Sequence, residues 1–173
     1  DFNFEKTKQQ AESAWDKELS KIEVETDDLS TKRTFYTALY HCMIAPNTYQ
    51  DVDGKYRGRD FQVHEAKGFN YYTVFSLWDT YRSANPLYTI MQPDRVPDMI
   101  NTMLNIYKQQ GRLPVWHLMA NETNTMVGNS AVPIIVDAYL KGFKGFDANL
   151  AYEAVKTTQM QDLRGLKYVK ELG

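Results

Sequence analysis

Apolar residues along this chain recur mostly at three- and four-residue steps, the spacing of a helix that buries one face. In "FNFEKTKQQAESAWDKELSKIEV", Ala11, Trp15, Leu19 and Ile22 share one side while Lys and Glu fill the others, which predicts a first amphipathic helix. In "DDLSTKRTFYTALYHCMIAP", Phe35/Tyr36, Leu39 and Met43 line up. Asp28 or Ser30 offers an N-cap, and Pro46 ends the helix. The pattern then breaks: "NTYQDVDGKYRGRDFQVHEAKGFN" has glycines at 54, 58 and 68 and no helical period. It reads as a long loop with a short hairpin, and loops of that length inside a domain usually serve function.

Helical spacing returns near Thr73 and is predicted to stop before Asn85-Pro86. "PDRVPDMINTMLNIYKQQGRLP" carries Pro97 in a first turn, a Met99/Met103/Tyr107 stripe and Gly111 as its stop. "NETNTMVGNSAVPIIVDAYLKGF" reads as a loop entering a helix that Gly142 ends. "DANLAYEAVKTT" starts on Asp147 as a cap and runs to about Thr158, and the tail after it has weak period and reads as irregular. Six helices joined as hairpins predict an all-α fold, with long loops gathered at one end where they can build a site.

At 173 residues the chain has a one-domain length. Twenty Lys and Arg against 22 Asp and Glu leave a net charge of −2, which gives no sign of a phosphate-tracking surface and argues against nucleic acid as partner. No run approaches the ~20 apolar residues of a membrane span. Cys42 is the single cysteine, so no internal disulfide and no Cys-based zinc site can form. The first residue is Asp rather than Met, which reads as an interior or processed start.

Three stretches carry candidate chemistry. "YQDVDGKYRGRD" places Asp51, Asp53 and Gly54 at the third, fifth and sixth positions of a calcium loop, but the first is Tyr49, a poor calcium ligand, and the twelfth is Asp60 rather than Glu. A turn is the plainer reading of Asp-Gly. "FSLWDTYR" sets Trp78, Asp79 and Arg82 within one turn. Its plain reading is an Asp79–Arg82 ion pair at i, i+3 under Trp78. Its functional reading is a sugar or carboxylate site, with Trp78 stacking and Asp79 accepting from two hydroxyls. "LPVWHLMANETNTMVGN" holds Trp116, His117, Glu122 and Asn124, which suit helix entry or the polar rim of a pocket with Glu122 open to acid–base work.

Four ordered stretches together resemble glycoside hydrolase family 92, a family of exo-acting, mostly bacterial α-mannosidases: "FYTALYHCMIAPNTYQDVDGKYRG", "YYTVFSLWDTYRSANPLYTIMQP", "GRLPVWHLMANETNTMVGNSAVPIIVDAYLKGF" and "GFDANLAYEAVKTT". The resemblance runs from about Trp15 to the C-terminus. Ser130 departs from it, since many members carry a bulkier residue after the Gly-Asn. The resemblance implies an (α/α)6 toroid, an inverting mechanism in which two carboxyl groups flank a water, and a calcium ion that contacts the sugar. It also implies that residues 1–173 are the first half of the catalytic domain. The family carries its general acid in a Glu-Gly-Asn stretch and its base in a Gly-Asn-Asp-Asp stretch, and neither occurs here, so no residue is assigned to catalysis and the calcium ligands are expected elsewhere.

What the resemblance carries over is substrate binding. Trp78 and Asp79 match a Trp-Asp pair at the terminal-mannose subsite, Arg82 orients Asp79 or touches the sugar, and Glu122 and Asn124 match a Glu-Thr-Asn motif at the pocket rim. The implied partners are mannose-containing glycans and the remainder of the catalytic domain, with self-association through an exposed apolar seam. The implied location is periplasmic or extracellular. Two other readings stay open: an enzyme acting alone with Glu122 as acid and Asp51 or Asp53 as base, and an all-α carbohydrate-binding or scaffold module without catalysis.

Overall fold

A computed structural model describes residues 3–173; Asp1 and Phe2, at the head of the first predicted helical stretch, lie outside the described residues. The chain forms two units, residues 1–44 and 45–173. About half of it is helical, and seven strands of two or three residues accompany eight helices among the described residues. The all-α expectation thus holds for the bulk of the ordered backbone but leaves out these strands, which are too short to show alternation in the sequence.

The first unit is a pair of helices. Helix α1 (Phe4–Leu19) starts on Asn3, whose side chain accepts from the Lys6 N–H at 3.0 Å. Helix α2 (Leu29–Cys42) starts on Asp28, which accepts from the Ser30 N–H and the Thr31 hydroxyl and thereby holds its carboxyl below the usual range. Trp15 packs on Tyr40 with ring centroids 4.7 Å apart, and the Tyr36 hydroxyl donates to the Ile22 carbonyl at 3.1 Å. Ile22, expected on the first helix, lies in the connection. Only Leu39 is buried among the residues of these two helices.

The second unit is built on helix α5 (Val96–Gln110), the element with the strongest signal in the sequence. Pro97 occupies its first turn, where a missing N–H costs nothing, and Gly111 ends it at φ 77°, a left-handed position natural to glycine. Ile100, Met103 and Ile106 are wholly buried on it. Helix α6 (Ala131–Leu140) turns Ala131, Ile134, Ile135 and Ala138 to the core, and helix α7 (Ala148–Met160) turns in Ala151, Ala154 and Thr158. Asp147 caps α7 by accepting from the N–H groups of Asn149 and Leu150. The Thr158 hydroxyl accepts the Leu113 N–H at 2.9 Å, tying the far end of α7 to the chain leaving α5.

Two expectations are corrected. The helix predicted from Thr73 to Asn85 is instead β4 (Tyr72–Thr73), β5 (Phe75–Ser76), a single turn α3 (Leu77–Thr80) and then α4 (Ala84–Met91). Val74, a β-branched residue at φ 63°, breaks the run between the two strands. Pro86 does not stop a helix but falls in the first turn of α4, where its absent N–H has no partner to lose. The tail, expected to be irregular, contains α8 (Leu166–Leu172), which Gly165 introduces at φ 87°.

The long segment after α2 folds as the hairpin anticipated within it. Strands β2 (Lys55–Arg57) and β3 (Val63–Glu65) pair antiparallel, and β1 (Asn47–Thr48) pairs with β4. The calcium-like stretch is the turn before β2. The Gly54 N–H donates to the Asp51 carbonyl at 2.9 Å, and Asp53 accepts from the Lys55 N–H and pairs with its ammonium group at 2.6 Å. Gly58 serves by lacking a Cβ, which would lie 2.5 Å from the His64 ring.

Candidate functional site

A three-stranded sheet gathers the residues singled out by the sequence. β6 (Trp116–Leu118) lies in its middle, with β5 on one side and β7 (Asn121–Glu122) on the other. In register, His117 stands between Phe75 and Glu122, and Ser76 stands opposite Trp116. Both outer strands run antiparallel to β6 and therefore parallel to each other. The chain leaving β5 toward Trp78 and Asp79 and the chain leaving β7 toward Asn124 thus depart from the same end of the sheet. Two strand steps of about 4.8 Å each separate them there.

On the first side, Asp79 is exposed at the start of α3 and accepts a hydrogen bond from the Ser76 hydroxyl. Arg82 does not pair with it. Its guanidinium lies 4.6 Å from the Trp78 ring centroid and 4.5 Å from that of Tyr81, and it donates to the Trp78 carbonyl at 3.0 Å. The i, i+3 ion pair is therefore replaced by cation–π stacking, which a planar guanidinium on an indole favours. The Asp79 carboxylate keeps lone pairs free toward solvent, and the half-buried indole is held rigid by its cation.

On the second side, Glu122 is only 8% exposed, and its carboxylate accepts three backbone N–H groups: Val115 at 2.8 Å, Trp116 at 2.9 Å and Asn124 at 3.0 Å. It clamps the strand it faces to the loop that follows it. That occupation does not favour Glu122 as a proton donor acting alone, and the pairing of Asp53 with Lys55 leaves that carboxylate similarly engaged. Asn124 adopts φ 54°, which its short amide side chain tolerates. Its side-chain oxygen accepts from Arg112 and from Arg164, whose guanidinium also donates to the Asn124 carbonyl at 3.0 Å.

The sequence placed His117 in a loop at the pocket rim and assigned no site role to Thr73, Ser76 or Tyr81. His117 is wholly buried, and its Nδ1 lies 3.5 Å from the Thr73 hydroxyl, which also accepts the Met119 N–H at 2.7 Å. Met119 and Ala120 form the two-residue turn between β6 and β7 at φ 46° and 64°. Both positive values mark the turn that matches strand twist, a place that usually takes Asn or Gly. The alternation of buried Val115 and His117 with more open Trp116 and Leu118 was a strand signal, hidden because it spans so few residues.

Burial pushes the His117 imidazole down to about 4, the Glu122 charge opposing this and the Arg59 charge adding to it. The unfolded chain, with an ordinary imidazole near 6.5, binds a proton that the folded chain refuses between those two values. Stability therefore rises with pH across that window and is lost as pH falls through it. The full linkage is on the order of 3 kcal/mol. Urea melts at pH 7 and pH 4.5 should show a stability gap that shrinks in His117→Leu; an equal gap in both would place the titration elsewhere.

No group of three or more His, Cys, Asp or Glu side chains able to hold a metal ion occurs among the described residues. Nor is any helix of the described residues long and apolar enough to cross a membrane.

The catalytic-domain model of glycosyl hydrolase family 92 matches residues 1–173. A family 92 α-mannosidase of Bacteroides thetaiotaomicron is similar in structure, with a TM-score of 0.94 and 41% identity over 98% of this chain and 23% of its own. An inverting family 92 mannosidase of the same organism gives a TM-score of 0.88 and 27% identity over 99% of this chain and 25% of its own. An uncharacterized secreted glycosidase of Arthroderma benhamiae is 32% identical over 157 residues, 89% of this chain and 16% of the relative. The chain thus spans about a quarter or less of the length of the relatives it matches. With a match over its whole length and 41% identity to a solved member, the chain belongs to glycosyl hydrolase family 92.

Proposed function

We propose that this chain is a segment of an exo-acting α-mannosidase and supplies part of the pocket for the terminal mannose. The family match over residues 1–173 carries the reading. Half-buried Trp78 and exposed Asp79, leaving the sheet at the same end as Asn124, support its placement. In this reading Asp79 accepts from two sugar hydroxyls. Trp78 meets the apolar face of the ring with the part of its indole that Arg82 leaves open. Arg82 acts by fixing that indole rather than by orienting Asp79. Glu122 holds the rim in shape and Asn124 presents it.

The general acid and base come from other parts of the longer polypeptide, half of whose helical toroid this segment forms. The relative named as an inverting mannosidase supports direct displacement by water, with two carboxyl groups held apart to admit it. The described residues gather no three carboxylates that could hold a calcium ion, and calcium, where the complete enzyme holds it, takes its ligands outside this segment. Exposed Tyr139, Leu140, Tyr152 and Met160 along α6 and α7 form the apolar surface against which the remainder of the catalytic domain packs, and on which the isolated segment would self-associate. The fungal relative's name as a secreted glycosidase supports action in the periplasm or outside the cell.

The test is hydrolysis of α-mannobiosides by the longer polypeptide containing this segment, followed by proton NMR. Release of mannose first as the β-anomer is the expected result, with no turnover by residues 1–173 alone. Binding of mannosides without release by the longer polypeptide would instead make it a carbohydrate-binding module.

A further inference from the structure

His117 presents an unusual combination for a buried residue. It occupies the middle strand of the site sheet, with Phe75 and Glu122 as its cross-strand partners, and none of its surface reaches solvent. Its Nδ1 has a partner: Thr73 Oγ1 accepts the Met119 N–H and lies 3.5 Å from His117 Nδ1, close enough for a hydrogen bond in either direction. Nε2 is buried without a hydrogen-bond partner among the described residues. The nearest carboxylate in register, Glu122, already spends its oxygens on three backbone N–H groups.

A buried ring nitrogen without a partner lowers stability, and a phenylalanine would fill a similar volume without it. Packing alone therefore does not account for histidine here. The other ring nitrogen shows what the residue does. It orders the Thr73 hydroxyl, and that oxygen holds the first residue of a left-handed turn built from Met and Ala, side chains that do not favour such a turn. The turn sets how β7 lies on β6, and β6 sets how β7 lies relative to β5.

We infer that His117 is a positioning residue for the sugar pocket. Through Thr73 it fixes the Met119–Ala120 turn, and so the spacing between Trp78–Asp79 on one outer strand and Asn124 beyond the other. This rests on the proposed role of those residues in holding mannose. His117 touches no sugar, and its effect passes through the backbone.

The experiment uses the longer polypeptide and measures kcat, KM and Tm for wild type, His117→Phe, His117→Asn and Thr73→Val on an α-mannoside. His117→Phe should melt at or above the wild-type temperature at neutral pH, while KM rises about tenfold or more because the pocket's two sides lose register. His117→Asn places a side-chain amide, able to accept or donate, near the place of Nδ1 and should bring KM back to within about threefold of wild type. Thr73→Val should raise KM as His117→Phe does. A His117→Phe enzyme that melts normally with wild-type KM and kcat overturns the inference. Should that variant not fold, wild-type KM in Thr73→Val overturns it equally. An active wild type with unaffected variants sinks this inference alone, whereas a wild type without α-mannosidase activity sinks the pocket reading and this inference together.

Discussion

Replacing Asp79 by alanine in the longer polypeptide should lower kcat/KM on α-mannosides by about a thousandfold while leaving the melting temperature unchanged. The size follows from two charge-assisted hydrogen bonds, each worth about 1.5–3 kcal/mol, lost together with the charge that aligns the sugar. The unchanged stability follows from the structure. Asp79 is exposed, its hydrogen bond comes from the Ser76 hydroxyl, and Arg82 does not depend on it. Surface substitutions of that kind usually stay within about 0.5 kcal/mol. Steady-state kinetics with a thermal melt as control reads both quantities. A variant with wild-type kcat/KM would move the sugar away from the start of α3, and one that loses activity only because it unfolds would return Asp79 to a structural role.

Glu122→Gln should do the opposite, lowering stability first. The carboxylate accepts three backbone N–H groups in a site 8% exposed, and an amide keeps a single acceptor oxygen while turning N–H toward N–H. Leaving one or two buried donors without partners costs about 3 kcal/mol. For a unit of this size that is a fall of roughly 10 °C in Tm. Activity should then track the folded fraction. Turnover abolished at an unchanged Tm would instead restore the acid–base role that the sequence left open for this residue, and the clamp described here would be incidental.

These two carboxylates look alike in the sequence, each beside good turn or cap residues, and differ because of what the backbone does around them. The parts of the fold that were legible are those in which one residue type answers one local demand. Pro97 and Gly111 bound α5, Asp147 caps α7, and the Met99/Met103/Tyr107 stripe faces the core. The parts that were not legible depend on pairing between distant segments. A two-residue strand such as β5 has no period of its own, and it exists because β6, some 40 residues later, supplies its partners. Arg82 shows the same limit at the level of charge. Spacing brings it within reach of Asp79, but the faces of Trp78 and Tyr81 hold it instead. His117 was hidden for a related reason: its short strand was read as loop, so its inward position could not be seen.

The shared exit of β5 and β7 has a bearing on how such a protein can change over generations. The residues proposed to contact a sugar hang from one end of a small sheet, while α5 and the buried faces of α6 and α7 carry most of the core. Substitutions at exposed positions beyond Ser76 and Glu122, such as Asp79, can therefore alter what is recognised with little effect on the core, whereas buried Leu77 beside them belongs to that core. On the proposed reading, selection on the sugar recognised and selection on stability fall largely on different residues, and relatives can diverge in the first while holding the second.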